Sequence, residues 1–394
     1  MTFSYLWTGN EAKALEGIIA EFNKSQDKIT VVGVSSPDFQ KQLASMSAAK
    51  GTFDISDNFG NGVGSWASKG ILTPLDSYIQ ADHVDTGDFV PAAMNQMKYK
   101  GHTYSLPIAV HDFELLYNKT EFAAAGISAP PTTMEDLATD IAKLTKVDAS
   151  GNITQLGLGN PDTGTTMTTL GYAFGGTWDG PDGATPSPDN PANIAAVEFY
   201  RQNIIDKYGA AKVAKFTAGW GQYMSAQDPF YTGKVAMIID GEWQPVSIPT
   251  TNPSLQWAVA NIPYPAAKPN LAGTTQLTAS TLFIPTNAAH KAEAFEFMKY
   301  LTGAAGMAAF TKALGNLPAR TSLLDSNTYA SIPQFSMWLQ NLKNPNVHAL
   351  ASQPYSQQYS SDLATAFKSV LDGSKTPQDA MASVAAGAKQ YPSS

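Results

Sequence analysis

The order of elements in this sequence predicts an α/β fold in two domains. Three observations carry that expectation. Short apolar strand-like runs alternate with amphipathic helical stretches over the first sixty residues. The chain has 394 residues, enough for two or three cores of ordinary size. A long extended run, Leu106 to Val110 and on through Phe113 to Tyr117, then breaks the alternation with no helix inside it.

The elements follow in order. Phe3 to Trp7 reads as a strand. Leu15, Ile18, Ile19 and Phe22 recur at i, i+3, i+4 and i+7, the stripe of an amphipathic helix. Ile29 to Val34 is β-branched throughout most of its length and predicts a buried strand without a polar face. Phe39, Leu43 and Met46 mark a second helix, and Phe53 to Ser56 a third strand. Strand and helix in alternation make right-handed crossovers and a parallel sheet covered on both faces. Sites in such sheets open at the carboxyl ends of the strands. Trp7-Thr8-Gly9-Asn10-Glu11 and Asp57-Asn58-Phe59-Gly60 stand at two such ends.

Further along, Tyr99 to Tyr104 predicts a hairpin with Gly101 at positive φ. Pro130-Pro131-Thr132-Thr133 is a helix entry with one of the threonines as cap. Residues 157–190, rich in Gly, Thr, Asp and Pro, read as loop plus a short helix. Ile194, Val197 and Tyr200 lie on a helix, and Gly233 to Asp240 and Ser280 to Ile284 form strands. Helices follow over 289–301, 304–314, 334–342, 362–371 and 377–388.

Composition excludes several functions. The formal net charge is −8, and Arg201 and Arg320 are the only arginines. No basic cluster exists to neutralise a row of phosphates, so no nucleic-acid partner is expected. The same scarcity of arginine argues against an anionic ligand. With no cysteine, disulfides, thiol nucleophiles and thiolate metal sites are all excluded. The histidines at 83, 102, 111, 290 and 348 are scattered singly, so no metal site is expected. Nucleotide-binding glycine loops and nucleophile elbows are missing, and no cofactor is expected.

Two carboxylate pairs, Asp112 with Glu114 and Asp240 with Glu242, have i, i+2 spacing on extended segments. That spacing fits the short end of the separation a glycoside hydrolase needs. Eight βα repeats are not seen, however, and the alternative is that Asp240 caps while Glu242 faces solvent or a ligand hydroxyl. The catalytic reading is therefore the weaker one, and the chain is expected not to be an enzyme.

Aromatic residues make up 10% of the chain, against only 15% charged. Trp257 sits inside a strand pattern and is expected in the core. Trp7, Trp178, Trp220 and Trp243 instead fall at strand ends or in Gly-flanked loops. A flat apolar face beside Asp, Asn, Glu and Gln suits a sugar ring, whose C–H face stacks while its hydroxyls bond.

One segment carries a family resemblance. Phe230-Tyr231-Thr232-Gly233-Lys234-Val235-Ala236-Met237, continuing to Gly241-Glu242-Trp243, resembles the Gly-Lys-x-Ala-Met…Gly-x-Trp signature of extracellular solute-binding proteins that feed ABC sugar importers, the maltose-binding-protein type. In order along the chain, Gly70-Ile71-Leu72-Thr73-Pro74-Leu75, Leu116-Tyr117-Asn118-Lys119 and Gly315-Asn316-Leu317-Pro318-Ala319-Arg320 are similar to further segments of that family. Met134 stands where the family usually has Trp, and His111 where maltose-type members carry a carboxylate.

The resemblance implies a two-lobe periplasmic-binding-protein fold with a hinge and an interlobe ligand cleft. Lobe one is expected at 1–110 plus 280–320 and lobe two at 111–279 plus 321–394. The implied partners are a neutral oligosaccharide and ABC transporter permease subunits, bound by a monomer. The implied place is outside the cytoplasm, either in a periplasm or lipid-anchored on the outer face of the membrane after removal of a signal peptide. Trp243 is the expected main stacking platform, with Trp178 and Trp220 next, Trp7 in the first loop, and Tyr355 or Tyr359 from the tail. Asn10, Glu11, Asp57 and Asn58 are expected to meet hydroxyls from lobe one, with His111, Asp112, Glu114 and Glu242 at the hinge and cleft.

Overall fold

A computed structural model describes residues 1–160 and 162–392, less the side chain of Asn10. Its strands are β1 (Thr2–Tyr5), β2 (Val32–Ser35), β3 (Ile55–Phe59), β4 (Lys98–Tyr99), β5 (His102–Thr103), β6 (Ser105–Asn118), β7 (Lys146–Val147), β8 (Ile153–Leu158), β9 (Val235–Gly241), β10 (Trp257–Ala260), β11 (Thr275–Phe283) and β12 (Val347–His348). Apart from the β4–β5 hairpin they form one sheet in the order β2-β1-β3-β11-β6-β9-β8-β7, with β10 on β6 and β12 on β11. The expected parallel pairs β1–β2 and β1–β3 are present. The sheet as a whole is mixed, because β11 runs antiparallel to both β3 and β6.

β6 and β11 cross the middle of the molecule side by side, and their outer neighbours change along their length. β3 pairs with β11 from Ser280 to Phe283. β9 pairs with β6 from Phe113 to Tyr117. Beyond the end of β9, Leu317 takes over the edge of β6 by accepting from the Val110 amide at 3.0 Å. The ends of β3 and β9 therefore converge from opposite sides on the stretch around His111.

Helices cover the sheet as the periodicity requires. The helix Gly9–Ser25 buries Leu15, Ile19 and Phe22, and Phe22 meets Phe297 edge-on at 5.0 Å. Thr133 caps the helix Met134–Leu144 in a capping box with Asp136, so the second of the two candidate threonines is the cap. No helix among the described residues is long and apolar enough to cross a membrane.

Two local expectations are corrected. Residues 29–34 were expected to form a strand buried on both faces, but β2 is the outer edge of the sheet and Val32 is 55% exposed. Apolarity alone does not separate a central strand from an edge strand. The strand expected over 280–284 begins five residues earlier, since β11 runs on past β3 to pair with β6 and β12.

The segment 347–353 crosses between the halves as a strap. Gly64 donates its amide to Ser352 Oγ at 2.7 Å, and Gln96 Nε2 donates to the Leu350 carbonyl at 2.8 Å. Any Cβ at Gly64 would run into the Ser352 backbone, so glycine is what lets the strap lie down there.

Candidate functional site

Alternation along β6 decides which side chains share a face. His111 and Phe113 point to the side occupied by Trp243, whose ring lies 5.9 Å from the first and 5.8 Å from the second, edge-on in both cases. Asp112 and Glu114 point the other way. His111 is clamped at both nitrogens, Nδ1 at 2.8 Å from Glu242 Oε1 and Nε2 at 2.8 Å from Ser280 Oγ. Asn316 donates to the same Glu242 oxygen at 3.3 Å. Ser280 stands opposite Phe59 in the β3–β11 register, which puts the Phe59 ring on this face too. Glu11 completes the surroundings; partial burial raises its pKa, and the nearby His111 ring offsets part of the rise.

Trp243 is half-buried and held in place. Its indole N–H donates to the Tyr223 hydroxyl at 2.7 Å, and that hydroxyl donates onward to Asp240 at 2.7 Å. Gln244 Nε2 adds a 2.6 Å bond to Asp240. Burial pushes the Asp240 carboxyl up to about 7, against the pull of its donors Tyr223, Gly241 and Gln244. Tyr223 itself remains 39% exposed. Phe59 is 46% exposed at the end of β3, and Trp7 is half-buried with its edge on Phe310 at 5.0 Å. Together the partly exposed faces of Trp243, Tyr223 and Phe59 and the cluster of His111, Ser280 and Asn316 around Glu242 mark the candidate ligand opening. Such a surface stacks on flat apolar faces and bonds neutral hydroxyls.

Several sequence expectations lie elsewhere. Trp178 is wholly buried; its N–H donates to the Thr168 carbonyl at 2.9 Å and its ring packs edge-on against Phe367. It has no free face and is not a platform. Tyr355 and Tyr359 are buried as well, their hydroxyls donating to the carbonyls of Ala184 and Trp178, so they tie the tail helix to the 174–190 loop. Trp220 is half-buried against Phe216 and beside Gly159. Asp112 and Glu114 are fully buried on the far face of β6, where neither touches the opening. Asp57 is buried and accepts from the Leu6 amide at 2.9 Å, with burial raising its pKa to about 7. Asn58 is buried under Gln42. The Asn10 side chain lies outside the described residues.

Phe59, Tyr223, Ser280 and Asn316 were not singled out as site residues from the sequence. Phe59 had a signal, standing at the carboxyl end of a strand in Asp57-Asn58-Phe59-Gly60. Tyr223 had none, since its loop shows no periodicity. A separate groove of about 490 Å³ lies between Gln96, Tyr172, Asp179, His348 and Gln353. There Gln353 donates to the Gly183 carbonyl and the His348 ring stacks 4.9 Å from Tyr172. No group of three or more His, Asp or Glu among the described residues is placed to hold a metal.

Comparison with known proteins identifies the family and the fold. A maltotriose-binding protein from Pyrococcus abyssi is 25% identical over 255 residues, 64% of this chain and 51% of that protein. A putative binding protein from Brucella abortus is 28% identical over 259 residues, again 64% of this chain and 59% of the relative. The match thus spans between half and three-fifths of these curated relatives. Among solved structures, CpMnBP1 with mannobiose bound superposes with a TM-score of 0.83 at 29% identity, covering 98% of this chain and 99% of the other. Its form with mannotriose bound gives 0.85. These superpositions identify the mixed sheet with its paired crossover strands as the two-lobe fold of periplasmic sugar-binding proteins. The family described as bacterial extracellular solute-binding protein matches residues 8–308, and the chain belongs to that family.

Proposed function

We propose that this protein captures a neutral oligosaccharide between Trp243 and Tyr223 on one side and Phe59 and Trp7 on the other, and delivers it to an ABC importer. The observation that carries the reading is Trp243, a half-exposed indole fixed by its N–H bond to Tyr223 and set beside the polar cluster of His111, Ser280 and Asn316. A ring held in advance loses little conformational freedom when a sugar stacks on it. The solved relatives at 29% identity hold mannobiose and mannotriose, so manno-oligosaccharides are the first ligands to try.

Residues 1–110 with 280–320 would move as one lobe and 111–279 with 321–394 as the other. The exchange of strand neighbours at His111 and Ser280 supports that division. The family works outside the cytoplasm; a periplasmic or lipid-anchored position and docking on permease subunits are the finer parts of the proposal. Catalysis is not expected. Asp112, Glu114, Asp240 and Glu242 are all buried, and none flanks an open space as a glycosidase pair must.

Calorimetry with mannobiose, mannotriose and maltotriose tests the reading. Binding at micromolar or tighter, about −8 kcal/mol, is expected for at least one. Trp243→Ala should weaken it by about thirtyfold or more, and the sugar should be recovered intact after hours of incubation. Unchanged affinity in the variant would remove Trp243 from the site, and cleaved sugar would overturn the binding-protein reading.

A further inference from the structure

Residues 218–234 join the helix Ala210–Thr217 to β9 without helix or strand, and they carry Tyr223, whose hydroxyl receives the Trp243 N–H. Asp228 folds this loop. Its buried carboxylate accepts from the Met224 amide at 2.8 Å on Oδ2 and from the Phe230 amide at 2.8 Å on Oδ1. Met224, the residue after Tyr223, stands at φ 59°, a left-handed conformation that a residue other than glycine keeps only when its surroundings impose it. Gly221 lies so close to Gln227 that a Cβ there would strike its carbonyl, which closes the neck of the loop. A second route leaves Asp228 through Tyr231, whose amide also faces Oδ1 at 3.4 Å and whose hydroxyl donates to Gln244 Oε1 at 2.6 Å. Gln244 and Tyr223 both donate to Asp240. The two routes thus close a ring from Asp228 to Asp240 beside the Trp243 indole.

We infer that Asp228 is a positioning residue for the sugar platform: it holds Met224 left-handed, which aims the Tyr223 hydroxyl at Trp243 and Asp240 before any ligand arrives. This rests on the oligosaccharide reading and deepens it. Asp228 acts through Tyr223 and not on the sugar, since its carboxylate is spent on main-chain amides. Without that carboxylate Met224 relaxes to a negative φ, the peptide that follows Tyr223 turns, and the phenol leaves the indole N–H. The platform then has to be fixed at the moment of stacking, which costs about two- to tenfold in affinity for one ordered side chain.

The test is a double-mutant cycle read by calorimetry, with mannotriose or maltotriose, whichever binds the wild type more tightly. Asp228→Ala and Tyr223→Phe should each weaken binding by about two- to tenfold. The double variant should match Tyr223→Phe alone within about twofold, because both changes remove the same support. A merely structural role would not produce that equality. Asp228→Asn guards against an alanine variant that does not fold. It keeps one acceptor oxygen, so its loss should lie between the wild type and Asp228→Ala, and it should add nothing to Tyr223→Phe. Wild-type affinity in both Asp228 variants, or losses that multiply with that of Tyr223→Phe, overturn the inference while leaving the oligosaccharide reading standing. Wild-type affinity in Tyr223→Phe overturns it too. If the wild type binds neither sugar, the oligosaccharide reading fails first and this one with it.

Discussion

Replacing Asp112 by Asn should stabilise the protein near neutral pH. Asp112 lies on the hidden face of β6, wholly buried, and neither carboxylate oxygen makes a well-formed hydrogen bond, although Thr275, the Phe113 amide and Asn341 lie close enough to offset part of the cost of charging it. Burial is the main reason its pKa stands well above the ordinary carboxylate value, and the negative Glu242 nearby adds to the rise. The sign follows directly. Below about pH 4 the group is neutral in both folded and unfolded chains and contributes nothing. Above that, the unfolded chain ionises while the folded one keeps its proton, so each further pH unit removes about 1.4 kcal/mol of stability until the raised folded pKa is reached. The loss therefore grows as the pH rises from 4 toward that raised value and then levels off. Asn has the same shape and no such loss, but its second N–H needs a partner, a cost of about 1 kcal/mol. The variant should therefore show nothing, or a small deficit, at pH 4 and gain on the wild type by on the order of 1 kcal/mol for each pH unit above that within the window. Urea unfolding of both proteins at pH 4, 5, 6 and 7 measures it. A difference that does not change with pH, or a variant less stable at pH 7, would refute the reasoning, because either means that Asp112 is ionised and satisfied in the fold.

Two other substitutions separate the platform from the scaffold. Tyr223→Phe removes the hydroxyl between the Trp243 N–H and Asp240, so sugar affinity should fall several-fold by calorimetry. Stability should fall by about 1–2 kcal/mol, and more at pH 8 than at pH 6, because Asp240 loses a donor that favours its charged form. Arg320→Ala should cost about 3 kcal/mol in urea unfolding. Its guanidinium lies 4.4 Å over Phe89, and it donates to the Thr302 carbonyl at 2.6 Å and to Asp88 at 3.0 Å. Sugar affinity should not change in that variant, since none of these partners reaches the opening.

The sequence was most legible where one element decides the outcome by itself. The single long strand β6, the β4–β5 hairpin with Gly101 at φ 81°, and the helices after β11 all follow from period and turn chemistry. Trp243 was legible because a strand of seven buried residues delivers it to a strand end. Trp178 misled for a physical reason. Its Gly- and Asp-rich surroundings signal a loop, but this loop folds back so that Ser187 bonds the Trp178 carbonyl and the tail helix closes over the ring. Nothing local announces a cover supplied by Phe367, far along the chain. The hinge acids were a different error, because the needed signal was present. Alternation forbids His111 and Asp112 from facing the same cleft, and only the odd-numbered residues of that stretch face Trp243. Glu242 and Asn316 meet through a contact 74 residues apart in the chain, which spacing does not reveal.

The pairing of β3 with β11 sets the order in which this molecule can be completed. β3 ends at Phe59, and its partner begins at Thr275, so more than half of the polypeptide is synthesised before that edge is covered. Until then β3 presents unpaired amides and carbonyls, and a chain that stops short of Phe283 keeps them exposed for good. Closing so long a loop adds little to the equilibrium cost but slows the search. Truncations ending between 160 and 270 should therefore associate through that open edge rather than persist as a folded first half.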